Sequence, residues 1–211
     1  MTITLTKSAR SARKAKGDGH IRHAEILDAA ERIFVRDGYQ GATIRKIADE
    51  VGVSPTAFYM HFHDKDEILH AICEGAVGTL LARNSANSVR SLDAVGRVRQ
   101  MLDAYMRFGL DNPNTYGLAV HIAASQSSPA TAEVVTDLGA RCYARFKSAV
   151  ADIAAEGRLR ISSVDSAAQI LWGGCHGIVA LRIARPQFDW ADDETLISGM
   201  LDSLFRGLVA D

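Results

Sequence analysis

The residues best placed to do chemistry lie between 43 and 65, where the chain reads TIRKIADEVGVSPTAFYMHFHDK. Arg45 and Lys46 follow Thr43 directly, so two cations stand in the first turn of whatever helix begins there. Cations at that end oppose the helix macrodipole and cost a few tenths of a kcal/mol or more. The cost is recovered where a phosphate supplies the missing negative charge. Further on, Pro55, Thr56, Ala57 and Met60 offer methyl and apolar contacts of the kind that thymine accepts, and none of them can bond bidentately to guanine or adenine. This is a surface for duplex DNA, the first partner to consider. Two other chemistries are weaker. Cys175 and His176 could be read as nucleophile and base, but helix neighbours point about a hundred degrees apart. His61 and His63 suggest a metal without a third ligand at familiar spacing. No nucleotide loop or GxSxG pattern is found, so an enzyme is disfavoured, with no catalytic residues and no cofactor expected.

The elements that must position these groups are two short helices. Ile44, Ile47, Ala48 and Val51 form one apolar stripe behind Thr43 as N-cap, and Gly52-Val53 breaks the pattern. Ser54 then stands as N-cap with Pro55 at the first helical position, where a missing N–H costs nothing. Val53, Phe58 and Phe62 can face inward, leaving Pro55, Thr56, Ala57, Tyr59 and Met60 outside. That is the spacing of a helix-turn-helix, covering 43–62.

The stretch ILDAAERIFVRDGY from Ile26, then Gly41, TIRKIADEVGVS, FYMHF and Lys65 resembles the N-terminal domain of the TetR family of transcriptional regulators. Members of that family are all-helical homodimers, usually repressors released from DNA by a small molecule. The resemblance implies that Arg45 reaches a guanine and that Thr43, Tyr59, His61 and Lys65 hold phosphates, with Lys46 and Ser54 at the same surface. Thr56 departs from the family's usual glycine or alanine, which puts the recognition preference in doubt. It also implies an effector site between the helix after the reader and the next three helices. Aromatic and soft side chains there are Tyr105, Met106, Phe108, Tyr116, His121, Tyr143 and Phe146, each with ordinary core packing as its alternative. Trp172, His176 and Gly177, followed by PQFDW and GMLDSLFRGL, resemble the tryptophan–histidine–glycine signature of one C-terminal subfamily. Trp172 and His176 are also candidates to line the effector site, with core packing and a satisfied imidazole as their other reading.

The remainder reads as helices over 21–37, 65–86, 91–112, 113–124, 131–156, 163–185 and 191–209, with Gly38 and Gly157 as stops. No strict alternation predicts a strand. The expected fold is all-α with about nine helices: a basic tail over 1–20, a three-helix reader over 21–66, and an effector-binding and dimerisation domain over 67–211. Gly173, Gly174 and Gly177 inside a helix need a packing reason, since glycine there costs roughly 1 kcal/mol against alanine. Close approach of a second chain supplies one, with Leu181 on the same helix and Ile197 on the stripe of the last.

Composition fits a chain of 211 residues, 47% hydrophobic, with a good core. The net charge of −1 hides an asymmetry: residues 1–65 carry 11 basic and 8 acidic side chains, and the rest 13 and 17. A basic front and acidic rear orient the molecule toward DNA. Cys73, Cys142 and Cys175 are far apart and odd in number, which predicts reduced thiols and a cytoplasmic location. Neither a signal peptide nor a membrane span is expected. The tail, with Lys7, Arg10, Arg13, Lys14 and Lys16, is a solvated arm or a DNA contact.

Overall fold

A computed structural model describes residues 18–85, 92–122 and 127–210. Among these are nine α-helices and one π-helix. The basic tail lies outside the described residues up to residue 17.

Helix α1 runs Asp18–Gly41, but Gly38 inside it has φ 73° and ψ 160°, so the regular helix stops where the sequence predicts. Helix α2 (Ile44–Val51) opens on Thr43, whose hydroxyl accepts the Lys46 N–H at 3.2 Å. It closes on Gly52 in the left-handed conformation at φ 73°, a turn that costs glycine nothing. Helix α3 (Pro55–Phe58) opens on Ser54, which accepts from the Ala57 N–H at 3.2 Å. It is shorter than the sequence pattern suggests: after Tyr59 the chain continues to Phe62 as turns, closed by bonds from the His61 and Phe62 N–H groups to the Phe58 carbonyl. Phe34, Phe58 and Phe62 are fully buried between these helices, and each such ring contributes ~1.5–3 kcal/mol of burial.

Helix α4 (Lys65–Ser85) leaves the reader and enters the body. The body holds α5 (Ala94–Asp111), α6 (Pro113–Gly117), the π-helix Leu118–Ile122, α7 (Pro129–Ala155), α8 (Val164–Ala184) and α9 (Asp193–Leu208). Each of α5, α7, α8 and α9 starts on an Asp or Ser side chain that accepts a backbone N–H. Gly157, at φ +70°, follows α7 as predicted. Among the described residues the nearest thing to a strand is one antiparallel bridge, Leu159 with Val209, which ties the chain end to the start of α8.

Two cores result. The reader's core joins Ile26, Ile33, Phe34, Ile47, Phe58 and Phe62 to Ile68, Leu69, Ile72 and Cys73 of α4, and takes in Leu118 and Val135 from the body. The body's core is built on α5, α7, α8 and α9 around Met106, Val150, Leu171, Cys175 and Leu201. Met106 is therefore packing, 0% exposed, rather than a group lining a site. One close approach escapes the sequence. A Cβ at Gly109 would lie 2.5 Å from Val179 Cγ1 and 2.9 Å from Tyr116 Cδ2, so only glycine lets α5 meet α8 and α6 at that point.

Candidate nucleic-acid interface and cavity

The outer face of the reader is assembled as the sequence suggests. Ser54, Pro55, Thr56, Ala57, Tyr59 and Met60 are all exposed around α3, with Met60 the most open at 81%. Arg45 projects from α2 with 88% of its side chain exposed, against Asp49 one turn on at 3.9 Å. Thr43 is exposed and His61 half-buried, the latter edge-on to His23, whose ring rests on Phe62. These groups share one surface because α2 and α3 pack their apolar sides on α1 and α4.

Two cations are less free than their positions in sequence imply. The Lys46 ammonium lies 2.7 Å from the Asp37 carboxylate and 2.9 Å from the Gly41 carbonyl, at the C-terminal end of α1. The negative charge that offsets its place in the first turn of α2 is thus already within the chain. Arg36 first, and Lys46 with it, hold the Asp37 carboxyl well below the usual carboxylate range. Lys65 donates to the Tyr39 carbonyl at 2.9 Å, with its ammonium 4.2 Å from the centre of the Tyr39 ring. Both lysines stand beside the reading face with their charge partly engaged.

The body contains a cavity of about 510 Å³ between α4, α5, α7 and α8. Tyr105, Phe108, Tyr116, Tyr143, Phe146 and Trp172, six of the sequence candidates, line it. Met106 does not, and the His121 side chain lies outside the described part of the structure. The α4 wall is expected as an element, and the lining residues that the sequence does not single out include Cys73, Ala76, Val77, Leu80 and Leu81 on it, with Cys142 and Arg145 of α7. Nothing in their spacing marks them, because an apolar face toward a cavity looks like an apolar face toward a core.

His176 sits behind the wall and closes a relay. The Trp172 indole N–H donates to the Tyr105 hydroxyl at 3.3 Å, the two phenols lie 2.7 Å apart, and the Tyr116 hydroxyl is 2.5 Å from His176 Nδ1. Tyr105 is 3.0 Å from the same nitrogen. With Nδ1 as acceptor, every group in the order Trp172, Tyr105, Tyr116, His176 is satisfied by the next. Burial raises both phenols above the ordinary tyrosine value, which keeps the two hydroxyls protonated. Cys175 is fully buried and its thiol is pushed up to about 12 by that burial. It has no thiolate to attack with.

The residues expected at a dimer interface divide in two. A Cβ on Gly173 or Gly177 would meet nothing within 4 Å, and Leu181 is 53% exposed, so these three open outward. Gly174 instead faces the same chain, where a Cβ would lie 3.1 Å from Leu204 Cδ1 of α9. Ile197 is 2% exposed in the body's own core. Both are corrections with one cause: α9 lays its apolar stripe on its own body first. Helix α8 is by length and composition apolar enough to cross a membrane, at mean hydropathy 1.2. Here Ala167, Ala168, Leu171, Cys175 and Val179 bury one side of it in the body.

Fold and site define a helix-turn-helix reader carried on a helical body with an internal cavity. Residues 26–72 match the model for bacterial regulatory proteins of the tetR family, and residues 98–204 match the tetracyclin repressor-like C-terminal domain. The second match alone spans half of the chain, and the chain belongs to the TetR family of DNA-binding transcriptional regulators. It is 36% identical over 92 residues to a probable HTH-type transcriptional regulator, ArpR of Pseudomonas putida, covering 43% of each chain. It is 42% identical over 52 residues to the HTH-type transcriptional repressor AcnR of Corynebacterium diphtheriae, covering 25% of this chain and 27% of that one. These matches span less than half the length of either relative. The fold is similar to that of the transcriptional regulator FadR of Bacillus subtilis, solved in complex with stearoyl-CoA, with a TM-score of 0.74 at 18% identity, over 88% of this chain and 98% of that one.

Proposed function

We propose that this protein is a homodimeric repressor, acting in the cytoplasm, that leaves a two-fold symmetric operator when a small molecule enters the body cavity. The observation that carries the reading is how directly the cavity's elements are tied to the reader. The Ser128 N–H, at the start of α7, donates to the Asp66 carboxylate at 3.3 Å, and that carboxylate also accepts from the Tyr39 hydroxyl. The Thr115 hydroxyl on α6 donates to Glu31 of α1 at 2.8 Å. Tyr116 belongs to the body's core, and Leu118, two residues on, belongs to the reader's. An occupant that displaces α6 or α7 therefore pulls on α1 and on the first turn of α4, shifting the balance between two reader placements.

On the DNA side, Arg45 is the base reader, and Thr43, Tyr59, His61 and Lys65 hold phosphates, joined by Lys46 once it leaves Asp37. Pro55, Thr56, Ala57 and Met60 make apolar contacts, and DNA shape supplies the remaining selectivity. The functional division is a tail over 1–20, a reader over 21–66 and a body over 67–211. In the body, Trp172, His176 and Gly177 support a reading of the chain as a member of the tryptophan–histidine–glycine subfamily. Ile170, Gly173, Gly177 and Leu181, at intervals of three and four on α8, give the second copy an open apolar stripe. The relative named as a repressor supports repression, and the neighbour solved with an acyl thioester supports a cavity that takes an organic effector. A dimer that ignores small molecules and works through a protein partner is the competing reading, favoured by the open face of α8.

Gel shifts with the DNA upstream of the protein's own gene, over a salt series, test the proposal. Half-sites about one helical turn or slightly more apart are expected. Equal binding to random duplex at physiological salt refutes it.

A further inference from the structure

Resting on the cavity as the effector site, we infer that its occupant is an anionic amphiphile: a carboxylate on an apolar chain of about twelve carbons, its head held by Arg145 and its tail reaching the reader's core. Arg145 is the charged side chain among those lining the cavity, and it is exposed, so its guanidinium stands where the apolar wall meets solvent. Its basic neighbours on α7 are already engaged. Arg141 lies 3.0 Å from Asp137, and Lys147 pairs with Asp165. Arg145 itself makes no ion pair or hydrogen bond among the described residues. No acidic side chain is among the described residues that line the cavity, so nothing there repels an anion. An arginine fork takes a carboxylate through two parallel N–H···O bonds, which fixes the head in orientation as well as in charge. A carboxylate carried deeper would lose its water with no cation beside it, so the head stays at the rim.

The walls set the other half of the molecule. On α7 the lining runs from Val135 to Arg145, and on α4 from Cys73 to Leu81. At the helical rise per residue these walls are ~15 Å and ~12 Å long. Cys73 and Val135 belong to the reader's core, so both walls start at the reader and lead away from it. A hydrocarbon chain of standard bond length and angle advances ~1.25 Å per carbon when extended, so ~12 carbons cover the longer wall. Leu80, Leu81, Met101 and Leu138 give that path aliphatic side chains. The cavity of about 510 Å³ is of ligand size. A chain anchored at Arg145 thus brings its methyl end against Cys73 and Val135, the two lining residues that pack on the reader. Shorter chains held at the same anchor stop before that contact.

The test titrates octanoate, decanoate, dodecanoate, hexadecanoate and dodecanol into the full chain by calorimetry, each below its micelle concentration, with gel shifts to measure release from the operator. Affinity is expected to rise about fourfold per methylene up to about twelve carbons and to level off beyond. Dodecanoate should bind about tenfold more tightly than dodecanol, the scale of a hydrogen bond to a charged group, and added salt should narrow that ratio. Arg145→Ala should bring the ratio close to one and leave dodecanol unchanged, while Arg145→Lys, which keeps the charge without the fork, restores part of it. Arg141→Ala is the control and should change neither ligand, since that side chain is paired with Asp137 and does not line the cavity. Equal binding of dodecanoate and dodecanol overturns the inference, as do a ratio that survives Arg145→Ala, an affinity that climbs at the same rate to hexadecanoate, and failure of all five to bind. The two levels separate cleanly. Carboxylates that bind as expected without releasing DNA refute the effector reading and leave the ligand class standing; dodecanol that binds as tightly as dodecanoate and releases DNA does the reverse.

Discussion

Substituting Gly177 by leucine isolates assembly from folding. Within one chain a Cβ at this position meets nothing within 4 Å, so the larger side chain projects into open space beside Leu181. Replacing a helical glycine also raises the stability of α8 by up to ~1 kcal/mol. In the proposed dimer the same side chain lands between two α8 helices. Overpacking costs ~1–3 kcal/mol per site, and a two-fold axis imposes it twice, for ~2–6 kcal/mol. At ~1.4 kcal/mol per tenfold, the dimer should weaken by roughly 30-fold to 10⁴-fold. Light scattering across a dilution series reads that change directly, and circular dichroism at the lowest concentration reads whether the helices persist. Operator affinity should fall with dimerisation, because linked half-sites act through effective concentration. Gly174→Leu is the control: it meets Leu204 at 3.1 Å within the chain and should lower thermal stability even in a monomer. A Gly177→Leu protein with the wild-type dimerisation constant would show that the α8 stripe is not the interface.

Arg45→Ala should cost roughly 1–3 kcal/mol of operator binding and relax preference at one base position, whereas Lys65→Ala should weaken all sequences alike and flatten the salt slope by about one unit; selection of binding sites by each variant separates the two, and an unchanged consensus for Arg45→Ala counts against its role. The Asp66 junction is tested by acid. Burial alone would raise this carboxyl, but the hydrogen bonds from Tyr39 and Ser128 and the charge of Lys65 leave it below 3.8, so its stabilisation is complete above that value and is lost as pH falls through the lower folded-state value. Thermal unfolding of wild type and Asp66→Asn should differ by a constant amount from pH 7 to about 5 and begin to converge only below about pH 4, as pH falls toward the folded-state value; a gap that does not narrow at all with acid removes the carboxylate as its source.

Local signals were legible and long-range ones were not. Thr43 and Ser54 as N-caps, Gly38, Gly52 and Gly157 as stops, and the helix that follows the reader all appear where caps and periodicity place them, since each depends on neighbours within one turn. The same patterning could not say which neighbour an apolar stripe meets. Ile197 and Gly174 pack inside the chain, while Gly173 and Gly177, adjacent to Gly174 in sequence or one turn away, face out. Gly109 was invisible because the contact that requires it comes from Val179, seventy residues on. Lys46 looked like a cation awaiting phosphate until the fold set Asp37 beside it. The recognition helix ends early, with the His61 and Phe62 N–H groups both bonded to the Phe58 carbonyl. The spacing of Phe58 and Phe62 gives no sign of it, since residues four apart share one face of a continuous helix as well.

On the proposed reading, coupling between effector and DNA needs no long relay, because one layer of side chains separates the cavity from the reader's core. Cys73 and Val135 each line the cavity and belong to the reader's core. An occupant in van der Waals contact with them touches the far side of the packing that holds Ile68, Leu69 and Ile72 against Phe34 and Phe62. Protein interiors packed at crystal-like density cannot absorb such a push by compression, so displacement passes to whichever boundary is weakest. Four polar contacts mark that boundary: Asp66 with Tyr39 and with Ser128, Lys65 with Tyr39, and Glu31 with Thr115. All are part-buried, and each is a single hydrogen bond with a net worth of about 0.5–3 kcal/mol, small enough to be remade after a small rotation. A dense core on both sides of a seam of exchangeable hydrogen bonds then moves, on the proposed reading, between two discrete arrangements rather than along a continuum. On the proposed reading, the ligand selects between them, and the position of Arg45 relative to its copy across the dimer is what the operator detects.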